Sequence, residues 1–127
     1  RNYNKLSESV KSRLVLENND TGNTWTVKNL KRYIYNDYGI TVTFDNLHHE
    51  MLHHDVSHYD AFFEAYSTWN CTPIFHYSEG KNGTRAHRDM AENLPVHYDK
   101  DVLFDVELKS KDYAILDILK RYNDRQI

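Results

Sequence analysis

Gly39-Ile40-Thr41-Val42-Thr43-Phe44-Asp45 reads as a β-strand that starts at a helix-ending glycine and stops on a carboxylate. Branched and aromatic residues suit a pleated, half-buried surface, and the two threonines alternate with them. The same grammar recurs three times. Arg13-Leu14-Val15-Leu16 leads into Glu17, Pro73-Ile74-Phe75 into His76, and Val102-Leu103-Phe104-Asp105-Val106 into Glu107. The four terminal residues stand 28, 31 and 31 positions apart, close to the ~30 residues of one strand-plus-helix unit. In a parallel sheet or barrel the carboxyl ends of all strands share one face, where active sites sit. Three acids and a histidine converging there make a ligand set for a divalent metal.

Helical patterns fill the intervals. Residues 2–11 carry Tyr3, Leu6 and Val10 at helical spacing; Thr24 or Thr26 caps a helix that buries Val27, Leu30 and Ile34. A histidine-rich loop is expected from His48 to His58. Ser57, with Asp60 three positions on, starts a helix striped with Phe62, Phe63, Tyr66 and Trp69. After a loop containing Gly80 and Gly83, a short polar helix is expected around residues 86–93. The last helix, about 111–123, is expected to pack with Ala114, Ile115, Ile118, Leu119 and Tyr122.

Strands alternating with helices specify an α/β fold with a parallel sheet. Four units make either a small open sheet or half of an eight-stranded barrel. Polar residues alternating inside the strands (Thr41 and Thr43; Asp105, Glu107 and Lys109) favour the barrel, whose inner wall carries functional side chains. Residues 1–127 then form one partial domain, a C-terminal half-barrel. Its open edges and exposed inner surface call for a missing N-terminal half, from upstream sequence or a partner chain. A chain starting at Arg1 inside a helical pattern fits a piece of something longer.

Bulk composition narrows the class. Hydrophobic content of 39% and aromatic content of 13% in 127 residues describe one globular domain. No apolar run approaches a membrane span, so no membrane partner is expected. The single Cys71 forbids an internal disulfide and fits a reducing, intracellular compartment, cytoplasmic or nuclear. The Asn-x-Thr triplets at Asn19, Asn70 and Asn82 lack any export signal and read as chance. A net charge of −3 is not the footprint of a general nucleic-acid binder. It leaves room for an enzyme that meets DNA through a local basic rim and metal ions.

Glu17 directly after an apolar strand is costly unless paired or bound to metal. Asp45 and His48, three apart at a strand end, can reach one metal or two neighbouring ones. His76 ends a strand, and His87 on the following loop is flanked by Arg85, Arg88 and Asp89, a combination suited to phosphate as well as metal. His53, His54, His58 and His97 read as solvent-facing. Asp105, Glu107, Lys109 and Lys111 alternate on one face and are expected to form an ion-paired inner wall. His49-Glu50-Met51-Leu52-His53 also matches the H-E-x-x-H pattern of zinc peptidases, which requires a helix across 46–56.

Five ordered motifs resemble the UV damage endonuclease family: Leu6 to Asn18, Phe44-Asp45-Asn46-Leu47-His48-His49, Phe75-His76-Tyr77-Ser78-Glu79, Arg85-Ala86-His87-Arg88-Asp89 and Asp105-Val106-Glu107-Leu108-Lys109-Ser110-Lys111. The resemblance covers nearly the whole chain, as the C-terminal half of that family's barrel. It implies a TIM barrel of the endonuclease-IV and xylose-isomerase-like type. It also implies incision of DNA immediately 5′ to UV photoproducts, and two or three divalent metals, manganese first and zinc or magnesium as alternatives. Carried over by motif, the ligands are Glu17, Asp45, His48, His76, His87 and Glu107. Glu17, Asp45, His76 and Glu107 are the catalytic set; Ser78, Arg85, Arg88 and Lys109 are expected to bind substrate. The chain departs from the family pattern at Asn19, at Ile74 (a lysine in several members) and at Lys109, where many members carry the glutamate that Glu107 replaces here. The fragment alone is expected to be inactive. Competing readings are a sugar isomerase on the same barrel, a degenerate structural half-barrel, and the zinc peptidase.

Overall fold

The chain's structure, a computed structural model, describes residues 1–126. Four short parallel strands run in sequence order: β1 (Val15–Glu17), β2 (Thr41–Thr43), β3 (Ile74–Tyr77) and β4 (Leu103–Val106). β1 pairs with β2 and β3 with β4, while a bridge from Asp45 to His76 joins the two pairs. The His76 N–H donates to Phe44 C=O at 2.9 Å, which ties the two pairs together at that joint.

The helices are α1 (Glu8–Lys11), α2 (Val27–Leu30), α3 (Asn36–Tyr38), α4 (Asn46–Met51), α5 (His58–Tyr66) and α6 (Lys111–Arg125). One π turn, Lys31–Tyr35, makes α2 and α3 a single rod that stops at Gly39 with φ +70°. Four helix starts are capped by the same device. Ser7, Thr26, Asp45 and Ser57 each accept the N–H three residues on, which satisfies one of the first-turn donors.

Period-2 alternation sorts the strand side chains. Val42, Phe44 and Phe75 point toward the helices and form a core with Val27, Leu30, Ala61, Phe62 and Ala65. A second cluster, Tyr77, Ala91, Leu108, Ala114 and Ile118, lies under α6. Registers Val15↔Thr41, Glu17↔Thr43, Ile74↔Leu103 and His76↔Asp105 align the residues of the opposite face. Their lower tier is apolar and uncovered: Val15, Ile74 and Leu103 are 36%, 47% and 59% exposed.

Several expectations need correction. The supposed loop from His48 to His58 begins as helix: residues 46–51 are helical because Asp45 caps them. That helix closes at Leu52, and His54 and Asp55 take positive φ, so no helix crosses 46–56 and the H-E-x-x-H reading fails. His58 is not solvent-facing: its Nδ1 lies 2.6 Å from the Tyr98 hydroxyl.

No helix forms at 86–93. Its main chain is taken by side chains instead: Glu79 accepts the N–H groups of Glu92 and Asn93 at 2.8 Å. Arg121 donates to the C=O groups of Ala91 and Glu92 at 2.9 and 3.0 Å. The helix layer there is filled by Tyr98, whose ring packs 5.0 Å from those of Tyr59 and Phe62. β4 ends at Val106 and Lys111 starts α6, so Lys109 and Lys111 stand outside the strand. Both are exposed, and neither joins an ion pair among the described residues. No helix is long and apolar enough to cross a membrane among the described residues.

Candidate metal centre at the strand ends

The upper tier of that opposite face gathers Glu17, Asp45, His76 and Glu107 at the carboxyl ends of β1 to β4. Ligand atoms of Glu17, Asp45 and His76 lie within 4.8 Å of one another, and so do those of His76, Asp105 and Glu107. His76 Nδ1 sits in the middle, 3.3 Å from Glu17 Oε1, 3.8 Å from Glu107 Oε1 and 3.9 Å from Asp45 Oδ2. His48 Nδ1 lies 3.0 Å from Glu17 Oε1. His87 Nε2 approaches Glu107 Oε2 at 4.0 Å. All six residues expected as ligands are therefore within one cluster.

Local structure explains the convergence. Asp45 is 1% exposed; its Oδ1 accepts the His48 N–H at 2.8 Å, and the turn so closed brings His48 over Glu17. His87 is held by a return loop in which Gly80 and His87 form an antiparallel bridge. A Cβ on Gly80 would stand 2.2 Å from the Thr84 carbonyl oxygen, so only glycine permits this approach.

The His48 hydrogen bond and then the nearby His76 imidazole, 3.3 Å away, hold the Glu17 carboxyl far below the usual range. Burial pushes Asp45 up, against the lowering effect of the His48 N–H. His48 rises to about 9 through its bond to Glu17, and His76 rises chiefly through the same carboxylate. The carboxylates thus favour the protonated form of both imidazoles, and a cation entering the cluster would compete with those protons.

Two atoms test whether the cluster fits a metal. Asp45 Oδ2 and His76 Nδ1 are sealed from solvent without a hydrogen-bond partner among the described residues. Buried polar atoms are nearly always satisfied, and both of these face the same carboxylate cluster. A mixed carboxylate and imidazole set of this kind fits manganese, zinc or magnesium.

The expected substrate residues divide. Arg85 is 59% exposed, with Asp20 at 3.7 Å, and Lys109 is exposed. Arg88 is turned onto Glu92 and Glu79. Ser78 is fully buried, its N–H and C=O both bonded to Asn46; as folded it offers no atom to a substrate. Glu79 escaped the sequence reading as a site organiser. It accepts from Tyr77 Oη as well as from two main-chain N–H groups, and these bonds outweigh burial to lower its pKa. Asp105, expected only as an ion-pairing wall residue, joins the second ligand group.

Known proteins resemble this chain. A UV-damage endonuclease of Schizosaccharomyces pombe is 29% identical over 96% of this chain and 22% of its own length. One from Neurospora crassa is 31% identical over 96% of this chain and 21% of its own length. The chain spans about a fifth of the length of these curated relatives. The crystal structure of SacUVDE superposes with a TM-score of 0.83 at 29% identity, covering 98% of this chain and 44% of that one. The family model of UV-endonuclease UvdE matches residues 1–126, and the chain belongs to that family.

Proposed function

We propose that this chain is part of a metal-dependent DNA-repair endonuclease that cuts the backbone 5′ to UV photoproducts. The carrying observation is the pair of sealed, unpartnered ligand atoms, Asp45 Oδ2 and His76 Nδ1, inside a strand-end cluster of acids and histidines. Family membership supplies the substrate class, UV-damaged duplex DNA.

Glu17, Asp45, His48, His76, His87 and Glu107 would hold two or three divalent cations, manganese first. Bound there, cations neutralise charge on the scissile phosphate and lower the pKa of an attacking water. Glu17 stays ionised across the physiological range and anchors both His48 and His76. The exposed Lys109, and Arg85 beside Asp20, are placed to contact phosphates on the rim, whereas Arg88 and Ser78 are occupied within the fold.

The architecture we propose is the C-terminal half of a (β/α)8 barrel, residues 1–127. The uncovered tier of Val15, Ile74 and Leu103 supports it, because inward residues of a closed barrel stack in layers. The other half is supplied by the rest of the polypeptide or by a second chain, and the assembled enzyme acts inside the cell. The isolated chain is expected to be inactive.

The test is nicking of UV-irradiated against unirradiated supercoiled plasmid by the full-length protein with Mn2+, beside its Glu17→Gln variant. Nicking that depends on damage and vanishes in the variant is expected. Equal nicking of both plasmids would send the assignment to a small-molecule or abasic-site enzyme on the same fold.

A further inference from the structure

Each of the first two strand-end acids is followed by asparagine: Glu17-Asn18 and Asp45-Asn46. Both side chains do the same thing. Asn18 Oδ1 accepts the Asp45 N–H at 2.8 Å, and its Nδ2 donates to the Asp45 C=O at 3.0 Å. Asn46 Oδ1 accepts the Ser78 N–H at 3.0 Å, and its Nδ2 donates to the Ser78 C=O at 2.8 Å.

The offsets repeat as well. The last β1–β2 pair is Glu17↔Thr43, and the bridge joining β2 to β3 is Asp45↔His76. In both cases the asparagine lies one residue beyond the paired acid and grips the residue two beyond its partner. A carboxamide presents a donor and an acceptor side by side, as a peptide group does. Each main chain leaves the sheet at this point, into a loop after Asn18 and into α4 after Asn46. The side chain then adds the rung that the main chain no longer supplies.

From this repeat we infer that Asn18 and Asn46 are the positioning residues of the metal centre, an inference that rests on the metal reading above. Asn18 grips the residue whose carboxylate carries the unpartnered Oδ2, and its own C=O receives His48 Nδ1 at 2.8 Å. It thereby fixes two ligands against a third, its neighbour Glu17. Asn46 fixes the main chain just after His76, where the loop carrying His87 departs. The asparagine is 2% exposed at position 18, so no water competes for the clamp. Position 78 stands one residue past the last β3–β4 pair, Tyr77↔Val106, where a third clamp would begin. It is a serine, whose shorter side chain leaves Oγ without a partner among the described residues. That joint relies instead on the Glu107 N–H, which donates to Tyr77 C=O at 2.8 Å.

The test is Mn2+ titration of the full-length protein, read from the magnetic-resonance signal of free Mn2+, in wild type, Asn18→Ala and Thr68→Val. Thr68 is the matched control. Its hydroxyl accepts the Val42 N–H at 2.9 Å and donates to Ala65 C=O at 2.7 Å. Removing it costs buried bonds to the same strand away from the ligands. Expected is an affinity loss of about 10–100-fold for Asn18→Ala, the range for partners that orient metal ligands, with Thr68→Val binding as wild type at a similar loss of Tm. Equal losses in both variants, or none in Asn18→Ala, overturn the inference. Should Asn18→Ala fail to fold, Asn18→Ser, whose shorter side chain cannot span both the Asp45 N–H and C=O, is judged by the same criterion.

A wild-type protein that takes up no Mn2+ would sink the metal reading separately. Hydrogen exchange then decides the clamp. Protection of the Asp45 amide that is lost in the Asn18 variant sustains it, and an Asp45 amide exchanging alike in wild type and variant removes it.

Discussion

Helices α5 and α6 carry similar amphipathic stripes but meet different surroundings. α5 buries Ala61, Phe62 and Ala65 completely against Phe44 and Phe75, with ring centroids 5.1 to 6.3 Å apart. α6 buries only Ala114 and Ile118, while Ile115, Leu119 and Tyr122 stay 39%, 50% and 43% exposed. Those three line an open apolar groove of about 420 Å³ with Leu94, Val102 and Phe104. The difference is positional: α5 lies over the middle of the strand array and α6 beside its last strand. Periodicity identifies the face that seeks cover; the neighbouring elements decide whether cover exists.

That contrast can be broken at its strong end first. Phe62→Ala removes the ring at the centre of the α5 contact and should cost about 3–5 kcal/mol, the range for a buried aromatic. Urea unfolding of the full-length protein measures it, and a loss below about 1 kcal/mol would show that this core is not the one that closes the fold.

The weak end gives the next largest effect. In the barrel reading the groove beside α6 is filled by the missing half, so Leu119→Ala should cost about 2 kcal/mol in the full-length protein. A cost within about 0.5 kcal/mol, as at an ordinary surface position, would leave α6 exposed and argue against closure.

The smallest effect is a pH dependence on the closed side. Burial, aided by His58 and His53, lowers His49 to about 4, and burial also lowers His58. Below the ordinary value near 6.5 the unfolded chain binds protons that the folded chain refuses. Stability is therefore full above that value and falls as pH drops toward 4. For His49 the loss is roughly 1–2 kcal/mol after allowing for partial solvent screening. His49→Leu should flatten the urea-midpoint difference between about pH 7.5 and about pH 5. An unchanged difference would assign the acid sensitivity elsewhere.

The parallel order of the strands, a cap at Thr24 or Thr26, the cap at Ser57, the stop at Gly39 and the meeting of Glu17, Asp45, His76 and Glu107 at the strand ends were all legible in the sequence. Each is encoded by residues close in sequence or by a regular interval. What was hidden depends on distant partners. The absent helix at 86–93 is suppressed by Glu79 and Arg121, which lie outside it. Ser78 was carried over by motif as a substrate contact, yet the partner that covers its main chain, Asn46, lies 32 residues away. Arg88 read as a free cation until folding brought Glu79 and Glu92 to it. Even the asparagine clamps had a local trace, an acid-asparagine pair at two strand ends, but only the hydrogen bonds give that trace meaning.

The central claim is that the strand ends hold divalent cations, and Asp45→Asn tests it most directly. Asparagine keeps an oxygen for capping His48 and nearly the same volume, so α4 should stay in place. The charge and the unpartnered Oδ2 are what change. Mn2+ titration of the full-length protein should show an affinity loss of at least about 10–100-fold, the range already reached by partners outside the ligand set. Wild-type affinity in a folded Asp45→Asn protein would contradict the account.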